Sequence, residues 1–289
     1  MMAFILFQII SRGKVCCPNS LLFLMWIIFS AITSQTQSVR YPLAARYTGL
    51  GVYSKNNADA FSFQLNQAAL ANLKSMGSGV YAERRFLLEE LNFYSLAVAF
   101  PLQFGGIGIS AKYFGFPEYN ETQLGLAYAK PLGKIDVGIQ FNYHSIHLPG
   151  YGKDALFYIE AGVIIHISEE LYAGFHVFNP TGSKFGHNNV EKLASVYTAG
   201  LGYEASDKVF LSAEIIKEQD KPVNINAGLQ YVFAKKFFAR IGLLTETSNL
   251  YCGVGLKWSR FRIDITNSYH PQLGFTPGLL ILFEGPAKE

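Results

Sequence analysis

Between Lys134 and Leu148 the chain alternates. Ile135, Val137, Ile139, Phe141 and Tyr143 fall on one side of an extended backbone, and Asp136, Gly138, Gln140, Asn142 and His144 on the other. Side chains of a strand point to opposite faces with a period of two, so this segment is apolar on one face and polar or small on the other. The pattern recurs to the end of the chain in about fourteen segments of roughly ten residues, the length a tilted strand needs to cross a bilayer. Val223, Ile225, Ala227, Leu229, Tyr231 and Phe233 alternate with Asn224, Asn226, Gly228 and Gln230, and Phe261, Ile263 and Ile265 with Arg262, Asp264 and Thr266. A charge on a lipid-facing position near the midplane costs about 2–4 kcal/mol, and charges here concentrate in the polar register. A soluble sandwich would hide its apolar face between two sheets, and its strands average only about five or six residues. The pattern therefore predicts an all-β fold: a 14-stranded antiparallel transmembrane β-barrel, apolar toward lipid and polar toward the lumen, preceded by an N-terminal plug (hatch).

The expected strands are Gly79–Phe86, Leu91–Phe100, Gly106–Phe114, Thr122–Lys130, Lys134–His147, Ala155–Ile167, Leu171–Phe178, Leu193–Ala205, Val209–Lys217, Val223–Phe233, Phe237–Thr245, Leu250–Trp258, Phe261–Asn267 and Leu273–Phe283. Breaks after the even-numbered segments are tight, as at Pro131–Gly133 and Ser259–Arg260. The others are mostly longer, up to Asn179–Lys192. Short periplasmic turns alternating with longer outer loops are expected of such barrels. An even strand count puts both ends of the barrel on the periplasmic side.

Ahead of the strands, Gln35–Met76 is rich in Ala, Asn and Gly, with short helical character from Phe61 to Leu73. It is too long for an ordinary connection and is the expected lumen plug. The first 34 residues read as an export signal: Arg12 and Lys14 ahead of the apolar run Leu21–Ile32, with small or polar residues from Thr33 to Ser38. The domain reading is a signal peptide over 1–34, a plug over 35–77, a barrel over 78–284 and a tail over 285–289.

Composition agrees. Of 289 residues, 50% are hydrophobic and 15% aromatic, and only 16% are charged, against about 25% in average proteins. Part of the surface therefore does not face water. The formal charge of +3 gives no reason to expect nucleic acid as a partner. Cys16 and Cys17 fall in the leader, so Cys252 has no intrachain partner once the leader is removed.

The polar register supplies a lumen set: Lys112, Gln123, Asp136, Gln140, Asn142, Glu160, His166, His176, Glu204, Glu214, Asn224, Asn226, Gln230, Arg240, Lys257, Arg262 and Asp264. Lys112, Asp136, Glu160, Glu204, Glu214, Arg240, Lys257, Arg262 and Asp264 are expected to form a mixed-charge network around the plug, because buried charges need partners. His166 and His176 lie on neighbouring strands, but two imidazoles without a cysteine or placed carboxylate are a weak metal signal, and no metal or cofactor is assigned. The motifs of serine hydrolases, P-loop enzymes, zinc proteases and dinucleotide binders are missing, so a non-enzymatic role is expected. Pro277, inside the last strand, has no N–H for the ladder. With Gly278 it is a candidate strand kink, as are Gly105–Gly106 and Gly200–Gly202.

The plug contains a motif. Ala44-Ala45-Arg46-Tyr47-Thr48-Gly49-Leu50-Gly51 is followed by Asn57-Ala58-Asp59-Ala60-Phe61 and Asn66-Gln67-Ala68-Ala69-Leu70-Ala71. This resembles the N-terminal hatch of FadL-like barrels, especially the PorV/PorQ branch of the Bacteroidota, with Arg46, Gly49, Gly51, Asp59, Asn66, Ala68 and Leu70 at the matching positions. It departs at Gln67, where the family usually has proline. The resemblance implies a bacterial outer-membrane protein acting in transport or as a component of type IX secretion. The implied partners are outer-membrane lipid and either hydrophobic small molecules or secretion-system proteins. The alternatives are a sealed structural or partner-binding barrel and an outer-membrane enzyme.

Overall fold

A computed structural model describes residues 51–150, 152–185, 191–219, 221–234, 236–245 and 249–287. The expected signal peptide, Arg46 and Gly49 lie outside the described residues. The strands are β1 (Ser75–Arg84), β2 (Asn92–Leu102), β3 (Gly105–Phe116), β4 (Tyr119–Leu132), β5 (Ile135–Leu148), β6 (Gly152–His166), β7 (Leu171–Phe178), β8 (Val196–Ser206), β9 (Val209–Glu218), β10 (Asn224–Ala234), β11 (Phe237–Leu244), β12 (Asn249–Trp258), β13 (Phe261–His270) and β14 (Gly274–Ala287). Each pairs antiparallel with its neighbours in sequence, and β1 pairs with β14 to close the barrel.

Closure satisfies the backbone in a solvent that offers no hydrogen bonds. Among the described residues no helix is long and apolar enough to cross a membrane, so crossing falls to the strands. The exterior is apolar, with Phe141 60%, Val254 56% and Ile265 60% exposed. Aromatic pairs mark both ends of the apolar band. Tyr143–Phe157 and Tyr269–Phe275 lie toward the connections after β5 and β13, and Phe233–Phe237 and Phe261–Phe283 toward the turns after β10 and β12. Such girdles sit at the two membrane interfaces.

The strand count and order match the sequence expectation, and some boundaries move for local reasons. The first strand ends at Arg84, not Phe86, because Phe86 and Leu87 take left-handed backbone (φ 54° and 61°) that turns the chain away. The eighth begins at Val196, not Leu193. The described residues before it, 179–185 and 191–195, fold into the mouth, where Phe185 and Leu193 are buried against Leu156 and Tyr158. Asn179 organises that fold: its amide donates to Leu193 O (2.7 Å), its Oδ1 accepts from Ser183 N (3.0 Å) and its carbonyl accepts from Ser195 Oγ (2.8 Å). The third connection, expected among the longer ones, is instead tight, with only residues 117–118 between β3 and β4.

No register shift falls at Pro277–Gly278. Pro277 stays opposite Asn267 on β13, while the β1 ladder ends at Glu83↔Gly278, one residue short of the proline. Gly278 leaves room for the Tyr81 hydroxyl, which lies 2.5 Å from where a Cβ would stand. Gly105–Gly106 and Gly200–Gly202 also pair without a shift.

Placing arginine at Ile265, on the lipid face of β13, is expected to destabilise the barrel by about 2–4 kcal/mol. The same change at Leu132, beside a tight turn, should cost about 0–1 kcal/mol. Urea unfolding from lipid vesicles measures both.

Candidate functional site

The described part of the N-terminal segment, residues 51–74, lies inside the barrel. It forms two short 3-10 turns, Ser62–Gln64 and Gln67–Asn72. Asn66 starts the second as its N-cap: the side-chain oxygen accepts from Ala68 N (3.1 Å), and the amide lies within 3.2 Å of Phe175 O and 3.3 Å of Val163 O on the wall. Phe61, Phe63, Ala68 and Leu70 are buried, forming one apolar cluster with Tyr81, Phe93, Ala97 and Leu282.

The wall is shaped to the segment by glycine. A Cβ on Gly138 would come within 2.4 Å of the Gln67 carbonyl carbon, and one on Gly106 within 2.3 Å of Leu70 O. Gly108 makes room for the Phe63 ring, Gly162 for the Asn66 side chain, and Gly174, Gly200 and Gly202 for Tyr53. Glycine weakens a strand by itself, and its use here marks close approach of a second chain segment.

Charge ties one end of the segment down. Arg262 donates to Asp59 Oδ2 (2.7 Å) and to Asp264 Oδ2 (3.1 Å); Arg240 bonds Asp264 Oδ2 (3.3 Å) and Gln230 Oε1 (3.0 Å). Gln230 donates in turn to Asn57 Oδ1 (2.6 Å). Asp59 also accepts from Phe61 N (2.9 Å), so one carboxylate shapes the turn and anchors it. These groups are buried, and two guanidinium groups face two carboxylates, so the cluster is formally neutral. Nearer the tight-turn mouth, Glu204 accepts from Ser54 Oγ (2.5 Å), Lys55 N (3.0 Å) and Asn56 Nδ2 (2.5 Å).

The wall formed by β4–β7 uses different chemistry. His176 Nε2 meets Glu160 Oε2 at 3.0 Å, and that carboxylate also takes Gln67 Nε2 (3.0 Å) and Asn142 Nδ2 (3.0 Å). His166 Nε2 meets Asp136 Oδ2 at 2.5 Å, with the Asn72 amide on the same oxygen. His144 Nε2 lies 3.2 Å from Glu121 Oε2 nearer the outer mouth, with the Phe185 ring edge-on against the imidazole. His166 and His176 thus take separate carboxylates, and no group of three metal ligands forms among the described residues. Nor does any described serine hydroxyl bond a histidine.

The structure therefore joins Asp59, Arg240, Arg262 and Asp264 in one cluster and sets Asp136 and Glu160 nearly across the barrel, against the same segment. Asn66, Ala68 and Leu70 are in the seated turn, and Gly51 is buried in a bend with φ 81°. Other residues of the expected network stand apart. Glu214 accepts from Asn226 (3.0 Å), which in turn accepts from the Tyr251 hydroxyl (3.2 Å). Lys112 is half-buried on β3 between Ser95 and Gln123 of the flanking strands. Lys257 has the polar register but not the depth: it is exposed at the tight-turn rim and pairs with Glu284 at 2.5 Å. Glu121, His144 and Tyr53 were absent from the expected set.

No family model and no curated relative matches the sequence. Solved structures do match in fold. The Ralstonia pickettii toluene transporter TbuX aligns over 84% of this chain and 99% of its own, at 11% identity and TM-score 0.58. The CymD monoaromatic hydrocarbon channel aligns over 84% and 98%, at 11% identity and TM-score 0.56. A Pseudomonas aeruginosa FadL homologue aligns over 86% and 99%, at 9% identity and TM-score 0.56. The fold is that of a FadL-like barrel. The chain is a protein of the bacterial outer membrane.

Arg262→Ala leaves Asp59 and Asp264 buried with half their countercharge, and is expected to destabilise by about 3–5 kcal/mol. Gly138→Ala drives a methyl into the Gln67–Ala68 backbone and should cost about 1–3 kcal/mol. Thermal unfolding in detergent, with proteolysis mapped to residues 51–74, reads both effects.

Proposed function

We propose that this chain passes small apolar molecules across the outer membrane, with residues 51–74 as the movable stopper. The observation behind this reading is how that segment is held. Beside the apolar contacts of Phe61, Phe63 and Leu70, polar ties to the wall sit one after another along it: Ser54 to Glu204, Asp59 to Arg262, Gln67 to Glu160 and Asn72 to Asp136. Water can replace each polar tie in turn. The neighbours of the same fold include a toluene transporter and a monoaromatic hydrocarbon channel, and they supply the solute class.

A second reading comes from the hatch motif. Asp59, Asn66, Ala68 and Leu70 are all engaged in seating the segment, as befits a PorV/PorQ-like component of type IX secretion that needs a closed barrel rather than a passage. On that reading the partners are secretion-system proteins, and locking the segment does no harm.

One experiment separates the two. Cysteines replace Ala60 and Gly77, whose Cβ positions approach to 2.9 Å, in a Cys252→Ser background. Oxidation locks the segment to β1. For transport, uptake of radiolabelled toluene by cells falls to that of a deletion strain and returns on reduction. Undiminished uptake in the oxidised state overturns the transport reading. Co-purification of surface-secretion proteins with the locked form supports the second.

A further inference from the structure

The closing seam of the barrel departs from the rule that inward positions are polar. Leu279–Phe283 of β14 is apolar on both faces: Leu279 and Ile281 are exposed toward lipid, while Leu280 and Leu282 point inward and are fully buried. The inward leucines share one buried cluster with Tyr81 of β1 and with Phe61 of the N-terminal segment.

Three consecutive residues of that segment straddle the seam. Asp59 Oδ2 accepts from Arg262 of β13 at 2.7 Å. Ala60 Cβ lies 2.9 Å from where a Cβ on Gly77 of β1 would stand. The Phe61 ring comes within 2.9 Å of the same point on Gly79 of β1, and a Leu282 methyl within 3.1 Å of it. Gly79 and Leu282 are partners in the ladder that closes the ring, so Phe61 lies over the closing pair itself. The rest of the segment is laid around the wall. Ser95 Oγ of β2 donates to Gln64 (3.2 Å), Leu70 fits at Gly106 of β3, Gln67 at Gly138 of β5, and Tyr53 at Gly200 and Gly202 of β8.

Every other strand pair joins neighbours in sequence, whereas β1 and β14 join the two ends of the sheet. Asp59 and Arg262 are 203 residues apart. Bringing such ends together costs chain entropy before any contact repays it. The segment is joined directly to β1, so seating it there closes only a short loop. Once seated, it adds a phenyl ring and a carboxylate to the bare edge of β1, and these match the inward leucines of β14 and the guanidinium of β13. An open sheet admits the segment sideways. A closed ring would have to pass the rings of Tyr53, Phe61 and Phe63 end-on over glycines fitted to them.

We propose that residues 51–74 template the closure of their own barrel: the segment seats on the open sheet with β1, and Asp59–Phe61 then receives β13 and β14. A stopper that moves and one that stays must both be built in, so this stands apart from the transport reading.

Refolding of the full-length protein from urea into phosphatidylcholine vesicles tests the order of events. Closure is read from resistance to SDS at room temperature, and opening from urea unfolding in the same vesicles. Phe61→Ala should slow closure about tenfold and change opening by less than about threefold, as expected of a contact already made at the barrier. Phe185→Ala removes a buried phenyl from the separate cluster at the mouth; it should speed opening and leave closure within about threefold. Native closure of Phe61→Ala with faster opening overturns the proposal, because the segment is then seated after the ring is complete. Equal slowing by both variants also overturns it, because any buried phenyl then serves. Should Phe61→Ala not close at all, Ala60→Cys with Gly77→Cys in the Cys252→Ser background decides. Oxidised before refolding, that pair seats the segment on β1 in advance and should quicken closure at least about threefold over the reduced form. An unchanged closure rate there overturns the proposal.

Discussion

Hydrocarbon offers no partner to a backbone N–H or C=O, and this constraint organises the whole molecule. It forces the sheet to close, β1 onto β14, and sends Phe141, Val254 and Ile265 outward. It also sends every buried charge inward. Inside, carboxylates and bases cannot all be left to water, because residues 51–74 share the space. The lumen is therefore a place where charges must find one another across strands, and the segment is held by the same groups it shields.

Two styles of pairing result. Arg240 and Arg262 bind Asp264 and Asp59 through several donors at once, which fixes position as well as charge. On the facing wall His166 and His176 each meet a carboxylate through one nitrogen, and an amide of the segment bonds the same carboxylate. At the other mouth Phe185 lies against His144 and is buried with Leu156, Tyr158 and Leu193.

Much of the fold was legible because period-two alternation is a direct consequence of strand geometry. Thr122–Lys130 and Lys134–His147 lie within the observed β4 and, but for Lys134, β5. Alternation carries no information on where a chain leaves the sheet, so the end of β1 at the left-handed Phe86 and the inward fold of Leu193 were not visible. Register also separates inside from outside without giving depth. Lys257 therefore reads like Arg262 although it sits at the rim, and Glu121 falls just outside the alternation that begins at Thr122. Pairing between strands far apart in sequence, as between Asp59 and Arg262, has no local signature. The inward glycines carry a further signal: Gly106, Gly108, Gly138, Gly162, Gly174, Gly200 and Gly202 mark close approach of the segment rather than the strand kinks expected at Gly105–Gly106 and Gly200–Gly202.

That collar of missing side chains has an evolutionary corollary. A mould and its casting cannot drift independently: enlarging Tyr53 or Gln67 needs slack on strands more than a hundred or seventy residues downstream, and filling any collar position needs a retreat near the amino terminus. Among descendants of this sequence, variation in these two stretches should be inherited jointly, even where the lipid-facing surface between them is rewritten freely.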